Sequence, residues 1–280
     1  MTKERLYIPT RSDKLGLRVE VESVVVDRQT EFQRIQVLDT LALGRVLLLD
    51  GHVQLAEIGE HAYHESLVHV PALSLRTLES ALVVGGGDGG ALRELCRYKG
   101  LERIDMVEID PAVIEVCRET MPAVSDGAFD DPRLHLHIED AFAFVKSVQR
   151  KYDLIVVDCT DVYEEEEEAL SEGLFTHEFY SDLSRLLNPG GFVVTQADNL
   201  VFCPYSLEEA LAKFKKAFAR TGQYWSMVPS FGGFSGFVWG SNDSEVSPEF
   251  DEARAPVGLG YLDATTYALA MQPVPFVADH

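Results

Sequence analysis

Residues Ala81 to Gly90 read A-L-V-V-G-G-G-D-G-G, an apolar strand running straight into five glycines interrupted by one acid, and a helix is expected from Ala91. No other stretch constrains the fold as much. Glycine has no Cβ, so the backbone can turn sharply there and come close to a ligand. A strand, a glycine-rich turn and a helix in succession form the nucleotide-facing corner of an open α/β sheet. Gly85, Gly87 and Gly90 satisfy G-x-G-x-x-G, the dinucleotide fingerprint. Asp88, inside the loop, does not suit a dinucleotide, because a carboxylate beside a pyrophosphate repels it. It suits a cation. The loop therefore points to a nucleoside-bearing ligand that carries positive charge where a dinucleotide carries phosphate.

The rest of the chain follows that rhythm. Strands are expected to end near Val84, Ile109, Ile138 and Asp158, with helices at about 91–99, 111–120, 140–149 and 176–187. Asp110-Pro111 is a helix start, with Asp as N-cap and Pro at the first position. Asn188-Pro189-Gly190-Gly191 is expected to stop a helix before a strand at Phe192–Gln196. Leu207, Leu211, Phe214 and Phe218 share one face of a helix over 206–220, followed by strands at 224–228 and 236–240. The tail after Ser241 is weakly patterned and expected to be irregular. Before this region, Leu17 to Val26 alternates as L-R-V-E-V-E-S-V-V-V, the pattern continues at 32–39 and 45–49, and Asp50-Gly51 is a hairpin turn signal. We expect two units: residues 1–71, a small antiparallel β unit whose edges could pair with another subunit, and residues 72–280, an α/β Rossmann-like domain with a mostly parallel sheet and helices on both faces.

The formal net charge is −22 over 280 residues. That argues against nucleic acid and anionic membranes as partners, since both need a basic face, and it permits steering of cationic ligands. Acidity that only aids solubility, or reflects a saline habitat, is the alternative reading. The longest apolar runs are strand-length, too short to span a membrane. Cys96, Cys117, Cys159 and Cys203 are widely spaced, neither a zinc pattern nor a disulfide framework. With no charged-then-apolar leader at the start, a reduced cytoplasm is the expected location.

Ligands of open α/β sheets bind at the carboxyl ends of the strands, and four such ends here carry acids: Asp88, Glu108, the pair Glu139-Asp140, and Asp158 with Asp161. Glu108 lies about 20 residues past the glycines, where an acid accepts ribose hydroxyls. Asp110 and Asp140 could serve as helix caps alone. No helix starts immediately after Asp158 and Asp161, so this pair could bind an amine, act as a base or hold a metal. Gln54, Tyr63 and His64 add polar groups upstream. His61 and His64 are helically spaced, but no H-E-x-x-H is present and we assign no metal ligands. The run Glu164 to Glu168 reads as a solvated loop or as a lid that draws in cations.

With these residues in place the chain resembles the polyamine aminopropyltransferases, the spermidine synthase family. The match covers roughly residues 17 to 240 and includes E-F-Q (31–33), V-L-L-L-D-G-H-V-Q-L (46–55), A-Y-H-E (62–65), G-G-G-D-G-G-A-L-R-E (85–94), V-E-I-D-P (107–111), D-P-R-L (131–134) with I-E-D-A (138–141), Y-D-L-I-V-V-D-C-T-D (152–161) and G-L-F-T-H-E-F-Y (173–180). The resemblance implies transfer of an aminopropyl group from decarboxylated S-adenosylmethionine, used as co-substrate with no metal, to a primary amine, releasing methylthioadenosine. It implies that Asp88 holds the donor amine, that Gln33 and Glu108 bind the nucleoside, and that Glu139 and Asp140 sit at the adenine. Gln54, Tyr63 and His64 line the amine region, Asp158 accepts the proton, and Asp161 binds the acceptor's distal ammonium. A homodimer or homotetramer is also implied.

Three segments depart from the family pattern. A short Pro- and Gly-containing gate usually follows the D-x-x-D; here Val162-Tyr163 and the glutamate run stand instead. The later T-Y-P, whose tyrosine lies at the acceptor amine, reads Ser230-Phe231-Gly232. Gln196-Ala197-Asp198-Asn199 differs from the usual Q-S-E-S type. The donor half is thus intact and the acceptor half remodelled, which implies an acceptor other than plain putrescine. Two alternatives stand beside this: a methyltransferase using intact S-adenosylmethionine, whose carboxylate Asp88 would repel, and a donor-binding protein that has lost transfer.

Overall fold

A computed structural model of the chain describes residues 5–12, 15–159, 176–199 and 204–273. Two sheets carry the architecture. The first is five-stranded and antiparallel, in the order β1 (Arg5–Ser12), β2 (Leu15–Gln29), β3 (Arg34–Thr40), β4 (Gly44–Leu49), β5 (His52–Ala56). The Asp50-Gly51 signal is a two-residue hairpin loop, with Leu49 paired to His52 and positive φ at both central residues (50° and 84°), the mirror-image turn that suits strand twist. β1 is an addition to the sequence expectation.

The second sheet has seven strands. Those formed before the antiparallel pair are β6 (Ser80–Gly85), β7 (Arg103–Glu108), β8 (Leu134–Ile138), β9 (Tyr152–Asp158) and β10 (Leu187–Asn199). They run parallel in the order β10-β9-β6-β7-β8, and β12 (Gly233–Ser241) and β11 (Arg220–Val228) add antiparallel strands at the β10 edge. This is the expected Rossmann-like fold. Apolar runs such as Leu82–Val84 and Leu154–Val157 are fully buried because both faces are covered. One face carries α1 (Glu60–Ser74), α2 (Gly90–Cys96) and the C-terminal tail. The other carries α5 (Ala141–Ser147), α6 (His177–Arg185) and α7 (Pro204–Ala217). Between β7 and β8, α3 (Pro111–Thr120) and α4 (Pro122–Ser125) pack against one face of the N-terminal sheet through Val113, Val116, Cys117 and Met121.

Two local expectations change. Asn188-Pro189-Gly190-Gly191 does not precede the strand but lies within it: α6 ends at Arg185, Leu187 already pairs with Tyr152, and the register shifts before Phe192. Gly190, at φ 76°, lets the extra residues bulge out of the ladder. The tail is not wholly irregular. α8 (Ala264–Ala270) is closed at its start by a capping box between Asp263 and Thr266. No helix among the described residues is long and apolar enough to cross a membrane.

Candidate active site

The glycine loop closes the top of β6. Gly85, Gly86 and Gly89 all have positive φ, at 80°, 73° and 85°, which is why glycine recurs here. The amide of Gly86 donates to the carbonyl of Asp158 at 2.9 Å, tying the loop to the neighbouring strand β9. A Cβ on Gly87 would lie 2.9 Å from Glu108 Oε2, and one on Gly86 would lie 3.3 Å from Asp158 Oδ2. The missing side chains therefore set the spacing between the loop and two of the acids predicted from sequence.

Asp88 turns its Oδ1 inward, where it accepts the Gly90 amide at 2.6 Å and faces His64 Nε2 at 3.4 Å. His64 is buried on α1 against Gly90, and its Nδ1 lies 2.7 Å from Glu60 Oε2. Burial alone would lower the His64 pKa, but the carboxylates of Asp88 and Glu60 outweigh it and raise the value to about 10. Burial would raise Asp88 as well, yet the His64 charge and the Gly90 amide bring it below the usual carboxylate value. Asp88 is thus held ionised by an imidazolium.

Asp158, at the end of β9, is in the opposite state. Its Oδ1 accepts the Tyr63 hydroxyl at 2.7 Å, while its Oδ2 is buried and accepts no hydrogen bond among the described residues. Burial, reinforced by the Asp88 charge and opposed by His64 and Tyr63, raises its pKa to about 6. One polar atom from each of His64, Asp88 and Asp158 lies within 4.8 Å of the others. Two carboxylates in one pocket, one kept charged and one made basic, are suited to binding a cation and accepting a proton. Tyr63 meets Phe231 edge-on at 5.9 Å and Phe237 in a tilted arrangement at 5.6 Å between ring centres, so an apolar wall adjoins Asp158.

The nucleoside-side candidates gather at the next two strand ends. Glu108 Oε1 accepts the Asp110 amide at 2.9 Å, and burial raises the Glu108 pKa to about 7 despite that bond. Asp110 caps α3 through the Ala112 amide and also accepts Thr30 Oγ1 at 2.8 Å and Gln33 Nε2 at 3.2 Å, so Gln33 and Glu108 both bond to Asp110. Asp140 caps α5 by accepting the Phe142 amide at 2.9 Å. Glu139, half-exposed, has His137 Nδ1 at 3.8 Å. Gln54 turns its amide back to the His52 carbonyl at 3.2 Å. Asp161, Val162-Tyr163 and the glutamate run lie outside the described residues.

Sequence reasoning gave no role to Glu60 or Arg93. Arg93 forks onto Glu60 at 2.8 and 2.9 Å. Glu60 stands four residues before His64, and Arg93 is a charge among the buried Ala91, Leu92 and Leu95 of α2; both were signals in the sequence.

Residues 60–250 match the family model "Spermine/spermidine synthase domain", and residues 6–57 match "Spermidine synthase tetramerisation domain". The polyamine aminopropyltransferase of Pectobacterium atrosepticum is 39% identical over 87% of this chain and 83% of its own. The chain belongs to the spermine/spermidine synthase family. The polyamine aminopropyltransferase of Salmonella paratyphi B is 37% identical across 100% of this chain and 98% of its own, and polyamine aminopropyltransferase 1 of Pseudomonas aeruginosa is 39% identical over 84% and 81%. Among solved structures, a spermidine synthase in complex with the transition-state analogue AdoDATO superposes with TM-score 0.91 at 26% identity, covering 99% of this chain and 94% of the other. The spermidine synthase of Thermotoga maritima superposes with TM-score 0.90 at 27% identity and the same coverage. The protein is a transferase of the aminopropyltransferase class, and neither the methyltransferase nor the binding-only alternative is favoured.

Proposed function

We propose that the chain moves the aminopropyl group of decarboxylated S-adenosylmethionine to a cationic amine, with Asp88 holding the donor's ammonium and Asp158 deprotonating the acceptor. The observation that carries this reading is the contrast between the two carboxylates: Asp88 ionised against His64, and Asp158 raised to about 6 in the same pocket. Glu108 and Gln33 take the ribose side of the donor, Glu139 and Asp140 the adenine side, and Gly85 and Gly87 the floor. Tyr63 orients Asp158, and His64 acts through Asp88. Gln54 lines the amine region from the N-terminal unit, and Asp161 receives the acceptor's distal ammonium.

The chemistry follows from charge. An alkylamine is protonated at neutral pH and has no lone pair with which to attack. Asp158 takes one proton, and the freed lone pair attacks the methylene carbon next to the sulfonium. The carbon–sulfur bond breaks, its electron pair returns to sulfur, and methylthioadenosine departs neutral. No metal is needed to stabilise such a leaving group, and a His64 imidazolium has no lone pair to offer one. The enzyme's main contribution is alignment.

The acceptor is read as an amine other than plain putrescine, because Phe231 has no hydroxyl with which to bind a nitrogen. The join between the two units is read at the loop before α1, because α1 spans the expected 71/72 boundary yet packs with α2 and the second sheet. The match to a tetramerisation domain supports a homotetramer. The charge of −22 is read as that of an enzyme without nucleic-acid or anionic-membrane partners, and the widely spaced cysteines as those of a reduced cytoplasm. The test is incubation with decarboxylated donor and a panel of diamines, triamines and agmatine, with product masses read out. Methylthioadenosine with an aminopropylated amine is expected, and a clear putrescine optimum would overturn the acceptor reading.

A further inference from the structure

Behind Asp88 runs a line of buried charges. Glu94 Oε1 accepts Arg93 Nε at 2.7 Å, Arg93 forks onto both oxygens of Glu60, Glu60 Oε2 meets His64 Nδ1 at 2.7 Å, and His64 Nε2 faces Asp88 Oδ1 at 3.4 Å. Arg93, Glu60 and His64 are each less than one-tenth exposed. The far end is closed as well: Glu94 Oε2 meets His69 Nε2 at 2.8 Å, and His69 Nδ1 meets the Tyr98 hydroxyl. Signs alternate along the line, so every interior charge has an opposite charge on both sides. Among the described residues Asp88 has one on the inner side alone. Its Oδ2 accepts no hydrogen bond among the described residues, and its side chain is 14% exposed.

Such a network is a weak device for stability, because desolvation offsets much of the Coulomb gain. It does supply fixed geometry. Arg93 also donates to the Val124 carbonyl at 2.8 Å, so Glu60 is anchored by a fork that is itself anchored. We propose that Glu60 and Arg93 are positioning residues for the donor's ammonium: through His64 they engage Asp88 Oδ1 from behind and leave Oδ2 open to the cation. This rests on the reading of Asp88 as the group that holds the donor amine. The groups facing His64 are Glu60 and Tyr63 from α1, Asp88 and Gly90 from the loop and α2, and Asp158 from β9, with Arg93 across Glu60. Without the Glu60 charge, His64 keeps one carboxylate partner and loses its proton at lower pH. The neutral ring still points its Nε2–H at Asp88 but no longer carries a charge, so the carboxylate is held less firmly in position.

The experiment compares two ligands that share a nucleoside but not an amine, decarboxylated S-adenosylmethionine and methylthioadenosine, by titration calorimetry between pH 7 and 9. The ratio of their dissociation constants cancels Glu108, which serves both. In Glu60→Gln we expect decarboxylated donor to bind roughly tenfold more weakly, with methylthioadenosine nearly unchanged, as when a supporting shell is removed from a binding group. The ratio should worsen as pH rises in the variant and stay level in the native enzyme. Equal weakening of both ligands, or a ratio without pH dependence, would overturn the proposal and leave Glu60 a scaffold residue. Should Glu60→Gln not fold, Arg93→Lys, which keeps the cation without the fork, is read in the same ratio with the same two outcomes. Asp88→Asn separates the premise from the inference: an unchanged ratio in that variant would overturn the reading of Asp88 itself.

Discussion

Replacing Asp158 by Asn removes the proton acceptor with little change of shape. The Asn carbonyl can still accept the Tyr63 hydroxyl, and the amide nitrogen occupies the place of Oδ2, which has no partner to lose among the described residues. The magnitude follows from the pKa. An acceptor ammonium loses its proton near pH 10.4, the lysine value, so handing it to a carboxyl of ordinary pKa is uphill by between six and seven units, about 9 kcal/mol. Asp158, raised from 3.8 to about 6, shortens that climb by about two units, or about 3 kcal/mol. It nevertheless stays mostly ionised at neutral pH. Losing a positioned base costs about 100- to 10,000-fold in turnover, and the raised pKa points to the upper half of that range. The assay is single-turnover formation of methylthioadenosine at saturating donor and acceptor, with donor affinity measured separately. Turnover should fall by about 1,000-fold, while donor affinity changes little, since Asp88 and Glu108 are untouched. Turnover within tenfold of native would refute the assignment of Asp158 as the base.

Two further outcomes are expected. Gly87→Ala should weaken methylthioadenosine binding by about tenfold or more, measurable by calorimetry, because the new Cβ would sit 2.9 Å from both Glu108 Oε2 and Val113 Cγ1 and both must give way; unchanged affinity would mean that Glu108 does not bind the ribose. Glu60 and Glu94 are both held near pKa 2, burial notwithstanding, Glu60 by His64 and Arg93 and Glu94 by His69 and Arg93. A depressed folded pKa gives stability that is present above the unfolded value of 4.5 and lost as pH falls toward 2, so the thermal midpoint should drop through that window and Glu60→Gln should flatten part of the drop.

Much of the fold could be read locally. The glycines at 85, 86 and 89 mark positions of positive φ, where any other residue is strained, and Asp110 and Asp140 cap helices two residues on. The N-P-G-G segment misled because a turn signal does not say whether the chain is leaving a helix or bulging within a strand. Only the pairing of Leu187 with Tyr152 decides that. Likewise Asp110 read as a cap and Gln33 as a nucleoside contact, but their mutual bond spans 77 residues and has no trace in either segment.

The site divides in the same way. The sequence alone determined that acids stand at the carboxyl ends of β6, β7, β8 and β9, and that one of them lies inside the glycine loop where it disfavours phosphate, because alternation, glycine conformation and like-charge repulsion are short-range matters. Only the tertiary structure decided what each acid is. Asp88 and Asp158 are the same residue type at equivalent strand ends, yet one lies below the ordinary carboxylate pKa and the other near 6. The difference comes from His64, 24 positions before Asp88 in the sequence and held charged by Glu60, and from Asp88 acting on Asp158 across 70 residues of chain. Desolvation and through-space charge depend on what the fold brings near, and no local pattern records that.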